Sequence, residues 1–271
     1  MSILIFEEYS YSYAPDLQPA LNGINLEIKR DECTVIVGPS GAGKTTFCLA
    51  AANLLSSYPA SISSGHLKRP IPHIRTALVM QNFYSQITYL RNTVFEEVGF
   101  PLENIGLARD EIFKRVNNAL SQLKIQHLAM RNPLELSGGE KQKVVIATAL
   151  AQKPDVLILD EPLSQLDPES TSYLSDTLLE LKGSLTIILA ENDPYLILKI
   201  ADKLVVLSNG QIVSFGDVAT VFNSMGGKLV ELPAWSICTR EKEIADGTPT
   251  SHPADSILSY KYALKKLGGK I

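Results

Sequence analysis

The chain has 271 residues, with 45% apolar and 20% charged side chains and a net charge of −4 at pH 7. This length and balance predict a globular protein of one large domain, or of one domain with an appendage, that needs no disulfide bonds to stay folded. The acidic charge and the lack of long Lys and Arg runs argue against nucleic acid as the main partner.

No apolar stretch approaches the roughly 20 residues that cross a bilayer, and the N-terminus MSILIFEEYS is acidic where a signal peptide would be basic. We therefore expect a soluble chain, whose partner can still be a membrane protein. The cysteines Cys33, Cys48 and Cys238 lie far apart without metal-ligand spacing, which indicates a structural role in a reducing compartment.

Residues 1–37 alternate short strand-like segments with turns. SILIF, INLEIK and TVIVG are rich in apolar residues, and the typical turn pairs Asn22-Gly23 and Asp31-Glu32 separate them. This pattern predicts a small antiparallel β subdomain at the N-terminus. From Thr34 the pattern changes to a strand, a Gly-rich turn and a helix.

That Gly-rich turn, GPSGAGKTT, matches the phosphate-loop pattern G-x-x-x-x-G-K-[ST]. Glycines let such a loop wrap closely, so that backbone N–H groups and the following helix N-terminus face phosphate oxygens. Lys44 is expected to reach the β- and γ-phosphates, and the Thr45 hydroxyl to bind magnesium. The predicted nucleoside triphosphate site comprises Gly38, Pro39, Ser40, Gly41, Ala42, Gly43, Lys44, Thr45 and Thr46.

A mostly helical region is predicted over about residues 84–152. Thr93 and Glu96 have the spacing of a capping box. An apolar stripe at helical spacing is expected to pack in the core, and it consists of Ile112, Val116, Ala119, Leu120 and Leu123.

Near the end of this region, LSGGEKQK places Ser137, Gly138 and Gly139 at a predicted helix N-terminus, which is a second anion site. One cradle already serves the nucleotide, so a second cradle indicates a second nucleotide. DVLILDEP follows as a buried strand that delivers Asp160 to its carboxyl end, where it can hold magnesium. Strand alternation points Glu161 the other way, where it can polarise the attacking water.

The remaining chain contains another buried strand, LTIILA, and a hairpin around Asn209-Gly210 within residues 203–215. Residues 226–254 are polar and rich in Gly and Pro, and a last amphipathic helix is predicted from Ile257 to Leu267.

In combination, these motifs resemble the ATP-binding subunit of an ABC transporter, whose signature motif begins LSGG, over roughly residues 3–222. The resemblance implies an α/β P-loop NTPase core with a mainly parallel sheet, an N-terminal antiparallel β subdomain, a helical signature subdomain and a C-terminal helical extension. It divides the chain into an ATPase domain, residues 1–225, and an extension, residues 226–271, that serves as a dimerisation segment.

In that family, two ATPase subunits sandwich two ATP molecules head to tail. The resemblance implies that Ser137 and Gly139 contact ATP held by a second ATPase subunit, and that Asp167, in LSQLDP, lies at the dimer interface. It also implies integral membrane transporter subunits as partners, no nucleic acid, and a peripheral place at the cytoplasmic face of the cell membrane.

By the same resemblance, Tyr13 stacks on adenine, and Gln81 senses magnesium and the attacking water. Each residue also has a simpler interpretation. Tyr13 fits a half-buried aromatic, Gln81 a surface amide, and Asp167 the N-cap of the following helix; only their order and spacing favour the functional roles.

Residues 81–107 resemble the ATPase of energy-coupling factor importers, which take up vitamins and transition metals. Phe83 stands where that group usually has Pro, whereas Gln86 keeps its second glutamine. Residues 232–264 also resemble that group's C-terminal extension. The alternative within transporters is an importer or exporter subunit of another branch, and the substrate itself is chosen by the membrane subunits.

The family's strand after the magnesium carboxylates ends in a histidine that contacts the γ-phosphate, and the matching position in ILAENDP is Asn192. We expect Asn192 to face the γ-phosphate as a catalytic residue beside Glu161 and Gln81. An amide cannot become cationic or shuttle a proton. Either the chain is a working ATPase that tolerates Asn192, or it is a slow site that pairs with a different ATPase.

Two further classes stay open at this stage. A soluble ABC ATPase of DNA repair or translation usually carries coiled-coil insertions or two fused cassettes, and the sequence shows neither. A nucleotide-binding regulatory module without turnover is favoured by Asn192 and opposed by Asp160, Glu161 and Ser137.

Overall fold

The computed structural model describes residues 1–164 and 166–225. The predicted C-terminal extension, its dimerisation role and Cys238 lie outside the described residues, so the division of the chain at residue 225 stays a prediction. Within the described ranges, no helix is both long enough and apolar enough to cross a membrane.

The described residues form strands and helices in the alternation that a parallel α/β sheet requires. The strands are β1 (Ser2–Ser12), β2 (Leu21–Lys29), β3 (Cys33–Val37), β4 (Ile62–Lys68), β5 (Thr76–Val79), β6 (Val156–Asp160), β7 (Thr186–Ala190), β8 (Lys203–Ser208) and β9 (Gln211–Gly216). The helices are α1 (Lys44–Ala51), α2 (Val94–Asn104), α3 (Arg109–Gln122), α4 (Gly138–Ala151), α5 (Pro168–Leu181), α6 (Pro194–Ile200) and α7 (Val218–Met225).

The N-terminal sheet is antiparallel, as predicted, with the strand order β2-β1-β4. The prediction of a turn at Asn22-Gly23 was wrong, because both residues lie inside β2. Gly23 has φ +61° and donates its N–H to the Ser10 hydroxyl, beside an irregularity in the β1–β2 pairing. The turn chemistry therefore marks a β-bulge rather than a chain reversal.

The second sheet has the order β5-β6-β7-β3-β8-β9 and is parallel except for the final hairpin. Asn209 and Gly210 both have positive φ, which confirms the predicted tight hairpin between β8 and β9. Successive residues of β3 pack into different apolar clusters on the two faces of the sheet. The carboxyl ends of β3, β6 and β7 consequently meet at one edge, where ligands of such sheets bind.

Helices α2, α3 and α4 form the predicted helical region, and its apolar stripe packs in the core as expected. Thr93 and Glu96 make both bonds of the predicted capping box at the start of α2. Phe83 is buried in the same core, so the residue that replaces the usual proline stabilises this region through packing. Cys33 and Cys48 are buried free thiols, and burial raises the pKa of the Cys33 thiol to about 12.

Candidate nucleotide-binding site

The phosphate loop runs from the end of β3 to the start of α1 and depends on glycine at two tightly packed positions. A Cβ on Gly38 would lie 2.2 Å from the carbonyl oxygen of Leu207 in β8. A Cβ on Gly43, which has φ +103°, would lie 2.4 Å from the carbonyl oxygen of Ala20. Backbone atoms cannot move aside as a side-chain tip can, so only glycine fits at either position.

Lys44 is almost fully buried, with 6% of its surface exposed. Its ammonium group donates to the carbonyl oxygens of Gly38, at 2.9 Å, and Pro39, at 3.3 Å. The same group lies 3.3 Å from a carboxylate oxygen of Glu161. The cation is thus held inside the loop by two carbonyl groups and one carboxylate.

Glu161 lines the cleft, and strand alternation is not what places it there. Strand β6 ends at Asp160, and Glu161 has φ +47°, which turns its side chain into the cleft beside Lys44. The amide of Gln81 donates a 2.7 Å hydrogen bond to the other carboxylate oxygen. A left-handed conformation in a residue other than glycine costs energy and is found where neighbouring structure holds it, often at functional sites.

The turn after Glu161 is held by two side chains that the sequence analysis did not single out. Gln142 in α4 donates its amide N–H to the carbonyl of Pro162. Glu191 accepts N–H bonds from Leu163 at 3.3 Å, Asn192 at 2.7 Å and Asp193 at 3.3 Å. Burial raises the pKa of Glu191 above its usual value. Neither role has a local sequence signal, because each depends on tertiary packing.

Asp160 and Thr45, the residues expected to bind magnesium, lie next to each other. Asp160 is 3% exposed, hydrogen-bonds with Thr45, and has one carboxylate oxygen, Oδ1, that is buried without a hydrogen-bond partner. Burial raises the pKa of Asp160, and the nearby Glu161 carboxylate adds to that rise. Buried acceptors without partners are rare. A carboxylate and a hydroxyl are the ligands with which Mg²⁺ is bound while it keeps several waters.

An open cleft of about 240 Å³ lies beside the phosphate loop. Its lining residues are Ala20, Ser40, Gly41, Gly43, Lys44, Thr45, Thr46, Gln81 and Glu161. The cleft therefore joins the phosphate loop to the ends of β5 and β6.

Tyr13 lies beside this cleft, with its hydroxyl 3.1 Å from the hydroxyl of Thr46. Its ring makes edge contacts with Tyr11 and Tyr58, at centroid distances of 5.1 and 5.2 Å. Burial raises the pKa of the Tyr13 hydroxyl. The sequence analysis missed Tyr58, which follows α1 with no motif around it.

Asn192 is placed at the end of β7, as predicted, but it does not line the cleft. Its side-chain oxygen accepts the N–H of Gly38 and its side-chain nitrogen donates to the carbonyl of Gly38, both at 3.1 Å. The amide is therefore paired with the backbone N–H and carbonyl of the first residue of the phosphate loop.

The predicted signature residues form a separate, more exposed group at the start of α4. Ser137 caps this helix, and Glu140 completes a capping box with it. A Cβ on Gly139 would lie 3.1 Å from the hydroxyl of Ser170, which itself donates to Asp167. The structure thus brings the signature and Asp167 together, and it keeps both away from the lining of the phosphate-loop cleft.

Comparisons with known proteins agree with this geometry. Residues 21–164 match the family model described as ABC transporter. The chain is 35% identical over 223 residues to an energy-coupling factor transporter ATP-binding protein EcfA of Methanothermobacter thermautotrophicus, across 79% of this chain and 71% of the relative. It is 38% identical over 214 residues to a methionine import ATP-binding protein MetN of Bordetella pertussis, across 75% of this chain and 58% of the relative.

Among solved structures, cbiO1 from Clostridium perfringens, part of the ABC transporter complex cbiONQ, superposes with a TM-score of 0.69. The two chains are 32% identical, and the match covers 90% of this chain and 95% of the other. These matches confirm the predicted P-loop NTPase fold. The chain belongs to the ABC transporter family, as one of its ATP-binding, ATP-hydrolysing subunits.

Proposed function

We propose that this chain is the ATPase subunit of an energy-coupling factor type importer for a vitamin or a transition metal. The carrying observation is the convergence of Lys44, Glu161 and Gln81 in one cleft at the carboxyl ends of the sheet. Support for the subfamily comes from the EcfA and cbiO1 relatives and from Gln86. The amide of Gln86 bonds to the backbone of Leu78 and Met80 and so anchors the loop that carries Gln81.

In the proposed site, the loop N–H groups and Lys44 bind the phosphates, and Tyr13 stacks on adenine. Lys44 forms an ion pair with Glu161. When phosphate oxygens bind the ammonium group of Lys44 in place of Glu161, the Glu161 carboxylate becomes free to accept a proton from the attacking water. Gln81 then orients this carboxylate, to which it already donates.

Asp160 and Thr45 would hold magnesium, and Gln81, which lines the same cleft as Thr45, would be the third residue to contact it. The ion supplies positive charge next to the phosphate oxygens. The partnerless oxygen of Asp160 supports this assignment. Because burial raises the pKa of Asp160, acid conditions would protonate this carboxylate early and weaken ion binding.

We further propose that a second ATPase subunit, identical or different, completes each site. Ser137, Gly138, Gly139 and Asp167 would face the nucleotide and the interface of that partner, because they lie outside the lining of this chain's own cleft and Ser137 and Asp167 are exposed. Integral membrane subunits are the other proposed partners, which would place the chain peripherally at the cytoplasmic face of the membrane.

The second candidate is an ATPase of another importer branch. The MetN relative, at 38% identity, favours it as a specific observation. A slow site paired with a competent partner also stays a proposal, because Asn192 replaces the histidine expected at its position.

The test is to purify the full chain from the membrane fraction of the cells that produce it and to reconstitute it with the integral membrane proteins that co-purify. We expect ATP-driven uptake of a vitamin or a transition-metal ion into proteoliposomes. Lys44→Met should abolish that uptake, whereas Lys114→Met, a matched change at an exposed lysine of α3, should not. Uptake of methionine instead would favour the other branch, and stoichiometric nucleotide binding without membrane partners or turnover would contradict the proposal.

A further inference from the structure

Asn192 makes two hydrogen bonds to a single residue of the phosphate loop. Its Oδ1 accepts the N–H of Gly38 and its Nδ2 donates to the carbonyl of Gly38, each at 3.1 Å. A side-chain amide carries the same donor and acceptor as a peptide group, so it can replace one in a β ladder.

The position of the Asn192–Gly38 pair in the sheet explains what these two hydrogen bonds do. Strands β3 and β7 are paired in parallel as far as Ile36 and Ala190, and the N–H of Glu191 still donates to the carbonyl of Ile36 at 3.1 Å. Beyond that point the two backbones diverge, since one enters the phosphate loop and the other leads to α6. The amide of Asn192 supplies the next rung of the ladder.

Gln86 makes the same kind of contact at the end of β5. Its Oε1 accepts the N–H of Met80 and its Nε2 donates to the carbonyl of Leu78, at 2.7 and 2.8 Å. Both side-chain amides thus bond to a backbone N–H and a backbone carbonyl near the carboxyl end of a strand.

Gly38 is held on its other sides as well. Its carbonyl also accepts from the buried Lys44, and its Cα packs against the Leu207 carbonyl of β8. Asn192 therefore completes a set of contacts that fixes Gly38, the residue at which the loop begins. The two nitrogens of a histidine ring point in divergent directions and cannot pair with the N–H and carbonyl of one residue in this way.

We propose that Asn192 is a positioning residue of the phosphate loop, which sets the loop before nucleotide arrives and supports diphosphate and triphosphate alike. The inference rests on the proposed nucleotide site and replaces the expected γ-phosphate role of this residue. One amide hydrogen of Asn192 is left over, and a bond from it to a terminal phosphate is the rival role.

The test compares equilibrium binding of ATP and ADP, each with magnesium, to the full chain by titration calorimetry well below its unfolding temperature. Asn192→Ala should weaken both nucleotides by the same factor, about three- to tenfold, because it removes two neutral hydrogen bonds. Asn25→Ala is the matched control, since Asn25 also bonds to backbone through both amide atoms but lies in the N-terminal sheet. It should leave both affinities unchanged.

Asn192→His gives a second variant that keeps a polar ring at this position. It should weaken ADP as Asn192→Ala does, and hydrogen exchange of the Gly38 amide without nucleotide should become faster in both variants. Weaker ATP binding with unchanged ADP binding would overturn the inference, as would a lower Tm with both affinities unchanged. If the wild-type chain bound neither nucleotide, the proposed function itself would fail.

Discussion

The two glycine-containing cradles of this chain are built in opposite ways. Around the phosphate loop, a Cβ on Gly38 or Gly43 would meet backbone carbonyls at 2.2 and 2.4 Å. At the signature, a Cβ on Gly138 or Gly139 would meet the hydroxyl groups of Tyr84 and Ser170 at 2.8 and 3.1 Å. Side-chain tips can move, whereas strand backbone cannot.

This difference fits the two proposed tasks. The first cradle must present a fixed set of N–H groups within its own chain. The side chains of Lys44 and Asn192 hold it in place through Gly38. The second is held by a local capping box and faces outward, where a partner's nucleotide would complete it. In the proposed account, a preformed site and a site completed by association lie on one chain.

Replacing one glycine in each cradle should give the largest difference in stability between the two sites. Gly43→Ala combines a left-handed backbone with a backbone clash, so we expect it to lower the free energy of unfolding by about 3 kcal/mol. Gly138→Ala should stay within about 1 kcal/mol of wild type, because alanine favours the helix and Tyr84 can shift. Urea unfolding monitored by circular dichroism measures both, and equal losses would contradict the contrast.

The capping serine should separate folding from function at the second cradle. Ser137→Ala removes an N-cap and should cost about 1 kcal/mol of stability. Thr93→Ala removes the matching capping box of α2 and should cost a similar amount. ATP hydrolysis by the assembled pump should fall only for Ser137→Ala; an equal fall for both variants would show that the signature serine acts through helix stability alone.

The smallest expected effect is a pH dependence of stability with opposite signs at two glutamates. One is Glu191, which holds the turn after Glu161, and the other is Glu140, in the capping box of the signature. Burial raises the pKa of Glu191, so its contribution is present below the ordinary glutamate pKa and is lost as pH rises through the raised value. At Glu140, burial acts to raise the pKa. Hydrogen bonds from Ser137 and the charge of Arg131 outweigh that effect, so the pKa of Glu140 lies below its ordinary value. The Glu140 contribution is therefore lost as pH falls through that lowered value.

Unfolding free energies across the acid range test these signs. Relative to wild type, Glu191→Gln should become less destabilising as pH rises, and Glu140→Gln should become more destabilising. The same pH slope for both variants would mean that the two carboxylates do not differ as described.

Local chemistry explains which features the sequence could predict. The phosphate loop, the Thr93–Glu96 capping box and the Asn209-Gly210 hairpin depend on neighbouring residues, and each lies where it was expected. Strand β4, with the polar sequence ISSGHLK, was missed because pairing with β1 rather than burial defines it.

Tertiary contacts explain what the sequence could not predict. The left-handed turn at Glu161 depends on the sheet around it, and Glu191 and Gln142 act through backbone groups distant in sequence. Asn192 was found by its position after β7, but its pairing with Gly38 required the convergence of β3 and β7.

The most direct test of the account is magnesium-dependent phosphate release by the assembled pump containing Glu161→Gln. Glu180→Gln, at an exposed glutamate of α5, serves as the control. We predict that Glu161→Gln retains ATP binding but lowers steady-state turnover about a hundredfold or more, because the carboxylate that accepts the proton is lost. If Glu161→Gln hydrolysed ATP as fast as the control, hydrolysis would occur elsewhere. That result would contradict the assignment of this cleft as the site of ATP hydrolysis.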